Sequence, residues 1–281
     1  MEPSMNRSAM SPLSLCARLS ALALVALLPL SAHAHRQWLL PSATVLSGSD
    51  PWVTVDAAVS NDLFYFEHFP LRLDNLSVSA PDGSPAKAEN QSTGRYRSTF
   101  DVHLTAPGTY KLAVVNNGLF ASYKENGQSK RWRGSADEFA QKVPANAQEL
   151  QVTQSESRLE TFVTAGKPTT QALKTTGRGL ELAPVTHPND LFAGEPANFR
   201  LLLDGKPAAN VEVEVVPGGN RYRDQLGEMK VKTDADGKFT IKWPSPGMYW
   251  IEAEVRDDKV SLKPAKARRA AYMATFEVLP Q

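Results

Sequence analysis

The stretch "MKVKTDADGKFTIKWPSPGMYWIEAEV", Met229 to Val255, decides the fold class. Asp236-Gly237 and Pro246-Gly247 cut it into short segments, and each dipeptide is a turn signal with a mechanism, glycine supplying the backbone conformation that a tight reversal needs. The segment upstream, "NFRLLLDGKPAANVEVEVVPGG" (Asn198–Gly219), adds Asp204-Gly205, and "RRAAYMATFEVLP" (Arg268–Pro280) supplies a last strand. Strands separated by such turns at roughly 8–12-residue spacing predict a small β-sandwich.

Working outward, the first half has the same punctuation. "WVTVDAAVS" (Trp52–Ser60), "YRSTFDVHL" (Tyr96–Leu104) and "TYKLAVV" (Thr109–Val115) alternate apolar and polar side chains, as half-buried strands do. Between them stand Ser47-Gly48-Ser49-Asp50-Pro51, Pro81-Asp82-Gly83 and Ala106-Pro107-Gly108. One segment breaks the pattern: "SADEFAQKV" (Ser135–Val143) has an N-cap serine, acidic residues in its first turn and Pro144 as a stop, which predicts a short helix. "LQVTQSESRLETFVT" (Leu150–Thr164) returns to strand character. The segment 165–179 is low in apolar residues, carries three glycines and reads as a boundary. The expectation is an all-β chain of two β-sandwich domains, 35–164 and 180–281, with one short helix.

The first 34 residues read as an export signal. Arg7 and Arg18 give positive charge, "LSALALVALLPL" (Leu19–Leu30) is a short apolar core, and Ala32-His33-Ala34 is an A-x-A cleavage site. A dozen apolar residues fall short of the roughly 20 that span a bilayer, and no later stretch is long and apolar enough. Cleavage after Ala34 predicts a soluble periplasmic product with no membrane span. The signal takes Arg7, Arg18 and Glu2 with it, so the 31 basic and 30 acidic residues become 29 and 29. A chain so balanced, without a basic stripe, has no electrostatic footprint for nucleic acid. Cys16 leaves too, which removes disulfides and thiolate ligands from consideration.

No G-x-S-x-G elbow, H-E-x-x-H pair, phosphate loop or dinucleotide glycine pattern is present, and the chain reads as a non-enzyme. "DADG" (Asp234–Gly237) lacks the ligand run of a calcium loop and reads as a hairpin turn. What remains is histidine. After cleavage His35, His68, His103 and His187 survive, and His35 becomes the first residue, offering both an α-amine and an imidazole. Nitrogen donors of this kind suit nickel, cobalt or copper rather than hard cations. Each histidine also has an ordinary reading: His35 as a bystander of cleavage, His68 in "FYFEHFP" as a packed ring, His103 as a solvent-facing strand residue, and His187 in "THPND" as part of a turn, with Asp190 placed to orient its ring. Trp38, Trp52, Phe64, Tyr65, Phe66 and Phe69 could line a ligand groove, although their alternation fits a core better.

Two resemblances follow from the motifs. The second half, through "DGKP", "TDADGKF" and "PGMYWIEA", resembles prealbumin-like and carboxypeptidase-regulatory-like modules, which implies an Ig-like or prealbumin-like sandwich and no particular chemistry. Over the mature chain, "HRQWLLPS", "GTYKLAVVNNG" and "HPNDLFAGEP…DGKP" resemble a periplasmic family of unknown function labelled a cobalt/nickel transport component, or NikM-like. That resemblance implies a soluble metal-binding accessory protein beside an outer-membrane receptor or membrane transporter, with His35 as the motif residue carried over. His187 falls inside the matching block. Permease subunits carry membrane helices, and this chain shows none after its signal. The leading expectation is therefore a transition-metal-binding accessory protein serving metal uptake or handling. Its alternatives are a structural module without metal and a copper oxidase built on an N-terminal histidine.

Overall fold

The computed structural model describes residues 35–281, which form one compact unit. The expected signal at 1–34 lies outside the described residues. The expected all-β class is what the chain adopts, with three sheets in sandwich packing and a single α-helix among the described residues. The first sheet orders Arg36–Pro41, Trp52–Ser60, Ser98–His103 and Glu89–Thr93, with Phe69–Pro70 paired to the second of these. The third sheet is built on Pro196–Leu203, flanked by Leu180–Pro184 and Lys238–Lys242.

Between them runs a ten-stranded sheet whose middle is the long pair Gly108–Glu125 and Gln148–Ala165. The last strand, Ala267–Val278, joins Gln148–Ala165 in parallel, from Thr153 opposite Ala267 to Thr161 opposite Thr275. Through that pairing the strands of the second half continue the sheet of the first. The segment 165–179, expected as a linker, is packed against this junction: Ala172 and Leu173 are buried, Thr109 N–H donates to Thr169 Oγ1 at 3.0 Å, and Lys111 Nζ donates to the Lys174 carbonyl at 3.1 Å.

Alternation along the strands sends successive side chains to opposite faces. In the central sheet Tyr249, Ile251, Tyr272, Ala274 and Phe276 meet Phe199 and Trp243 of the third sheet's layer. Trp250, Ala271 and Met273, on intervening positions, meet Trp38, Val55 and Phe100 of the first sheet's layer. Ala267–Val278 is covered on both sides, which is why Ala270 through Phe276 are buried without interruption and the strand reads as a run rather than an alternation. Alanines at 270, 271 and 274 let two layers approach it.

Two corners repeat. Tyr110 Oη donates to the Ala106 carbonyl at 3.1 Å, and Tyr249 Oη donates to the Ser245 carbonyl at 2.8 Å. The sequences are "APGTY" and "SPGMY", with Gly108 at φ 129° and Gly247 at φ 137°, angles only glycine adopts readily. Each half thus carries a tyrosine-corner device that fixes a strand entrance. The helix, Ala136–Lys142, falls where expected: Ser135 Oγ accepts the Glu138 N–H at 3.4 Å and Glu138 Oε2 accepts the Ser135 N–H at 3.1 Å, a capping box.

Candidate metal centre

His35 precedes the first strand, whose Arg36 pairs with Ser60 at the end of Trp52–Ser60. The chain then turns through Asn61–His68 and returns as Phe69–Pro70, with Phe69 opposite Val59 on the other side of the same strand. His35 and His68 therefore flank one strand end and reach across it: their ring centroids are 4.1 Å apart with planes at 65°. Phe69 closes the cluster, 5.6 Å from His35 and 6.1 Å from His68, with half of its surface exposed.

Both flanks are anchored by residues far along the chain. Arg36 donates to Glu214 Oε1 at 3.0 Å and sits 5.4 Å over the Trp250 ring, while Trp250 Nε1 donates to the Gln37 carbonyl at 2.8 Å. In the returning loop, Glu67 Oε1 accepts the N–H groups of Asn61 and Asp62 at 2.8 and 2.9 Å. Asn220 Oδ1 accepts the Leu63 N–H at 2.9 Å, and the Arg221 guanidinium lies 3.7 Å over Tyr65. A Cβ on Gly218 would lie 3.0 Å from the Phe64 ring and from the Met248 carbonyl, so a side chain there would crowd the loop. The His68 loop is thus fixed by the segment after the strand Glu212–Pro217.

His68 Nδ1 is buried and has no hydrogen-bond partner; the Glu67 carboxylate, 3.7 Å away, is beyond hydrogen-bond reach. A buried ring nitrogen without a partner beside a second imidazole is a donor pair suited to an imidazole-preferring metal, so nickel, cobalt or copper fits these residues.

The other two histidines lie elsewhere. His103 pairs with Trp52 at the opposite end of the strand Trp52–Ser60, roughly 26 Å from Ser60 at ~3.3 Å per residue. Its ring stacks on Trp52, centroids 4.3 Å apart and planes 6° off parallel, and Nε2 contacts the Asp50 carboxylate. His187 is committed to structure. Its Nδ1 accepts the Asn189 N–H at 3.1 Å, so Nε2 carries the proton and donates to the Thr169 carbonyl at 3.1 Å, with Thr109 Oγ1 at 3.0 Å. Burial pushes its pKa down, against the hydrogen bond to Thr169 and the nearby Asp190 charge. The structure brings together His35 and His68 and leaves His103 and His187 apart. Among the described residues no three His, Cys, Asp or Glu side chains are placed to hold one ion. A set of two imidazoles and a terminal amine is not of that kind.

The calcium-like "DADG" is a hairpin: Asp234 Oδ1 accepts the N–H groups of Asp236 and Lys238 at 2.9 and 2.8 Å. Of the aromatics weighed as a groove, Trp38 is fully buried, whereas Trp52 is 41% exposed over His103. Sequence reasoning missed Glu67, whose contacts lie only five and six residues away, and Asn220 and Glu214, whose contacts lie 157 and 178 residues away and leave no local pattern.

A family model described as "Domain of unknown function (DUF4198)" matches residues 32–257. Solved structures similar to the chain include the "D0-D1 domain of Intimin", at 12% identity over 85% of this chain and 96% of that one, with a TM-score of 0.22. Another is "Marsupial T cell receptor", at 10% identity over 88% of this chain and 73% of that one, with a TM-score of 0.20. Scores that low carry no argument about this chain. No curated protein matches it.

Proposed function

The chain belongs to the DUF4198 family, and from that premise and the histidine pair we propose that it is an exported, periplasmic protein that binds a transition metal without catalysing a reaction. The supporting observation is the ring contact of His35 with His68, whose buried Nδ1 lacks a partner. Cleavage after Ala34 would add the α-amine of His35, so the donor set becomes one amine and two imidazoles. Such a set favours copper(II) or nickel(II). Bound metal would supply only its affinity and charge; the protein's part is to hold the two imidazoles in place. An accessory role in metal uptake, beside a membrane transporter or outer-membrane receptor, is consistent with that reading.

The test is calorimetry on processed protein beginning at His35, with copper(II), nickel(II) and cobalt(II). At least one should bind tighter than about 10 µM, some −7 kcal/mol. His68→Ala should weaken it at least tenfold, whereas His103→Ala and His187→Ala leave it unchanged. Affinities weaker than about millimolar for all three metals would overturn the reading, as would a silent His68→Ala.

A further inference from the structure

A cleft of about 890 Å³ opens between Asn117, Glu156, Gly179, Lys259 and Arg268. That volume lies within the roughly 300–1,000 Å³ range of small-molecule sites. Its floor carries two buried arginines, each already balanced. Arg158 donates to Glu160 at 3.2 Å and Thr176 Oγ1 at 3.2 Å, and lies 3.3 Å from Glu181. Arg268 reaches Asp257 at 2.7 Å and Asp204 at 2.9 Å.

Glu156 is the exception. Its Oε1 accepts Gln154 Nε2 at 2.6 Å, but Oε2 is buried with no hydrogen-bond partner. Arg268 Nη1 makes only a 3.5 Å ion pair with Oε2, longer than its 2.9 Å contact with Asp204. Burial, the largest influence, raises the Glu156 pKa, as expected of a carboxylate short of donors. At the rim two cations, Arg178 and Lys259, lie exposed. Leu180, Val260 and Ala271 add apolar wall between rim and floor.

The cleft thus holds one buried carboxylate oxygen without a hydrogen bond and two exposed cations. A plain anion would meet Glu156, and a plain cation would have to pass Arg178 and Lys259. We infer that the cleft binds a small zwitterion, a free α-amino acid or short peptide, with its ammonium on Glu156 and its carboxylate on Arg178 and Lys259. No histidine lines the cleft, so its ligand and the proposed metal are separate matters.

The test is a thermal-shift screen of the full mature chain against each of the twenty L-amino acids and triglycine, followed by calorimetry on any that stabilise. At least one zwitterion should bind with Kd below about 1 mM, and its N-acetylated and amidated forms should each bind at least tenfold more weakly. Glu156→Gln should raise Kd at least tenfold. Arg178→Ala, at an exposed position, should do so by severalfold, with an unchanged melting temperature as its check on folding. No stabilisation by any probe at 10 mM would overturn the inference. So would equal binding of the acetylated and amidated forms, or an affinity indifferent to both substitutions.

Discussion

At the scale of single residues, four histidines that look equivalent in the sequence sit in different surroundings. His187 is a structural ring whose pKa is depressed by burial. A histidine held neutral in the fold binds its proton more readily when unfolded, so its contribution to stability is complete above the unfolded value near 6.5 and declines as pH falls below it. His187→Gln should therefore cost urea-midpoint stability at pH 8 and less at pH 5.5, with metal affinity unaffected at both. Metal binding at the proposed His35–His68 site should weaken in the same direction, as pH drops from about 8 to 5, because the nitrogens must lose protons to coordinate. An affinity flat across that range would place the metal on carboxylates. Composition singled out four histidines, since the one cysteine lies in the expected signal and histidine is scarce. Which two of the four meet was not legible. It depends on the returning strand at Phe69–Pro70, a two-residue pairing too short to leave a periodic signal.

At the scale of elements, local patterns carried most of the information. "SADEFAQKV" became the helix Ala136–Lys142 because Ser135 and Glu138 cap it reciprocally and Pro144 forces Val143 to an extended conformation. Ser135→Ala should cost about 1 kcal/mol of helix stability. The helix buries none of its own residues fully, so the loss should appear as faster amide exchange over residues 136–142 with little change in global unfolding. Alternation marked Trp52–Ser60 and Ser98–His103 as half-buried strands. It was silent on Ala267–Val278 pairing in parallel with Gln148–Ala165, since register between strands more than 100 residues apart is set by layers covering both faces. The parallel junction is the element that makes two sandwiches share one sheet. Trp250, 1% exposed and bonded to Gln37, bridges that sheet to the first strand. Trp250→Ala should destabilise by about 3–5 kcal/mol through the cavity it leaves. It should also weaken metal binding, because Arg36 loses the ring it lies over.

At the scale of the whole molecule, the proposed metal site draws on both halves of the chain. His35 stands next to Arg36, which is held by Glu214, and the His68 loop is seated on Asn220 and Arg221. Metal bound only by the folded arrangement should stabilise the entire unit, by about 2.7 kcal/mol at a hundredfold excess over Kd. The most direct measurement of the central claim is pulsed electron paramagnetic resonance on processed protein loaded with one equivalent of copper(II). Two coordinated imidazoles should appear through their remote ring nitrogens, falling to one in His68→Ala and staying at two in His103→Ala and His187→Ala. A spectrum with a single imidazole, or one unchanged by His68→Ala, would contradict the claim.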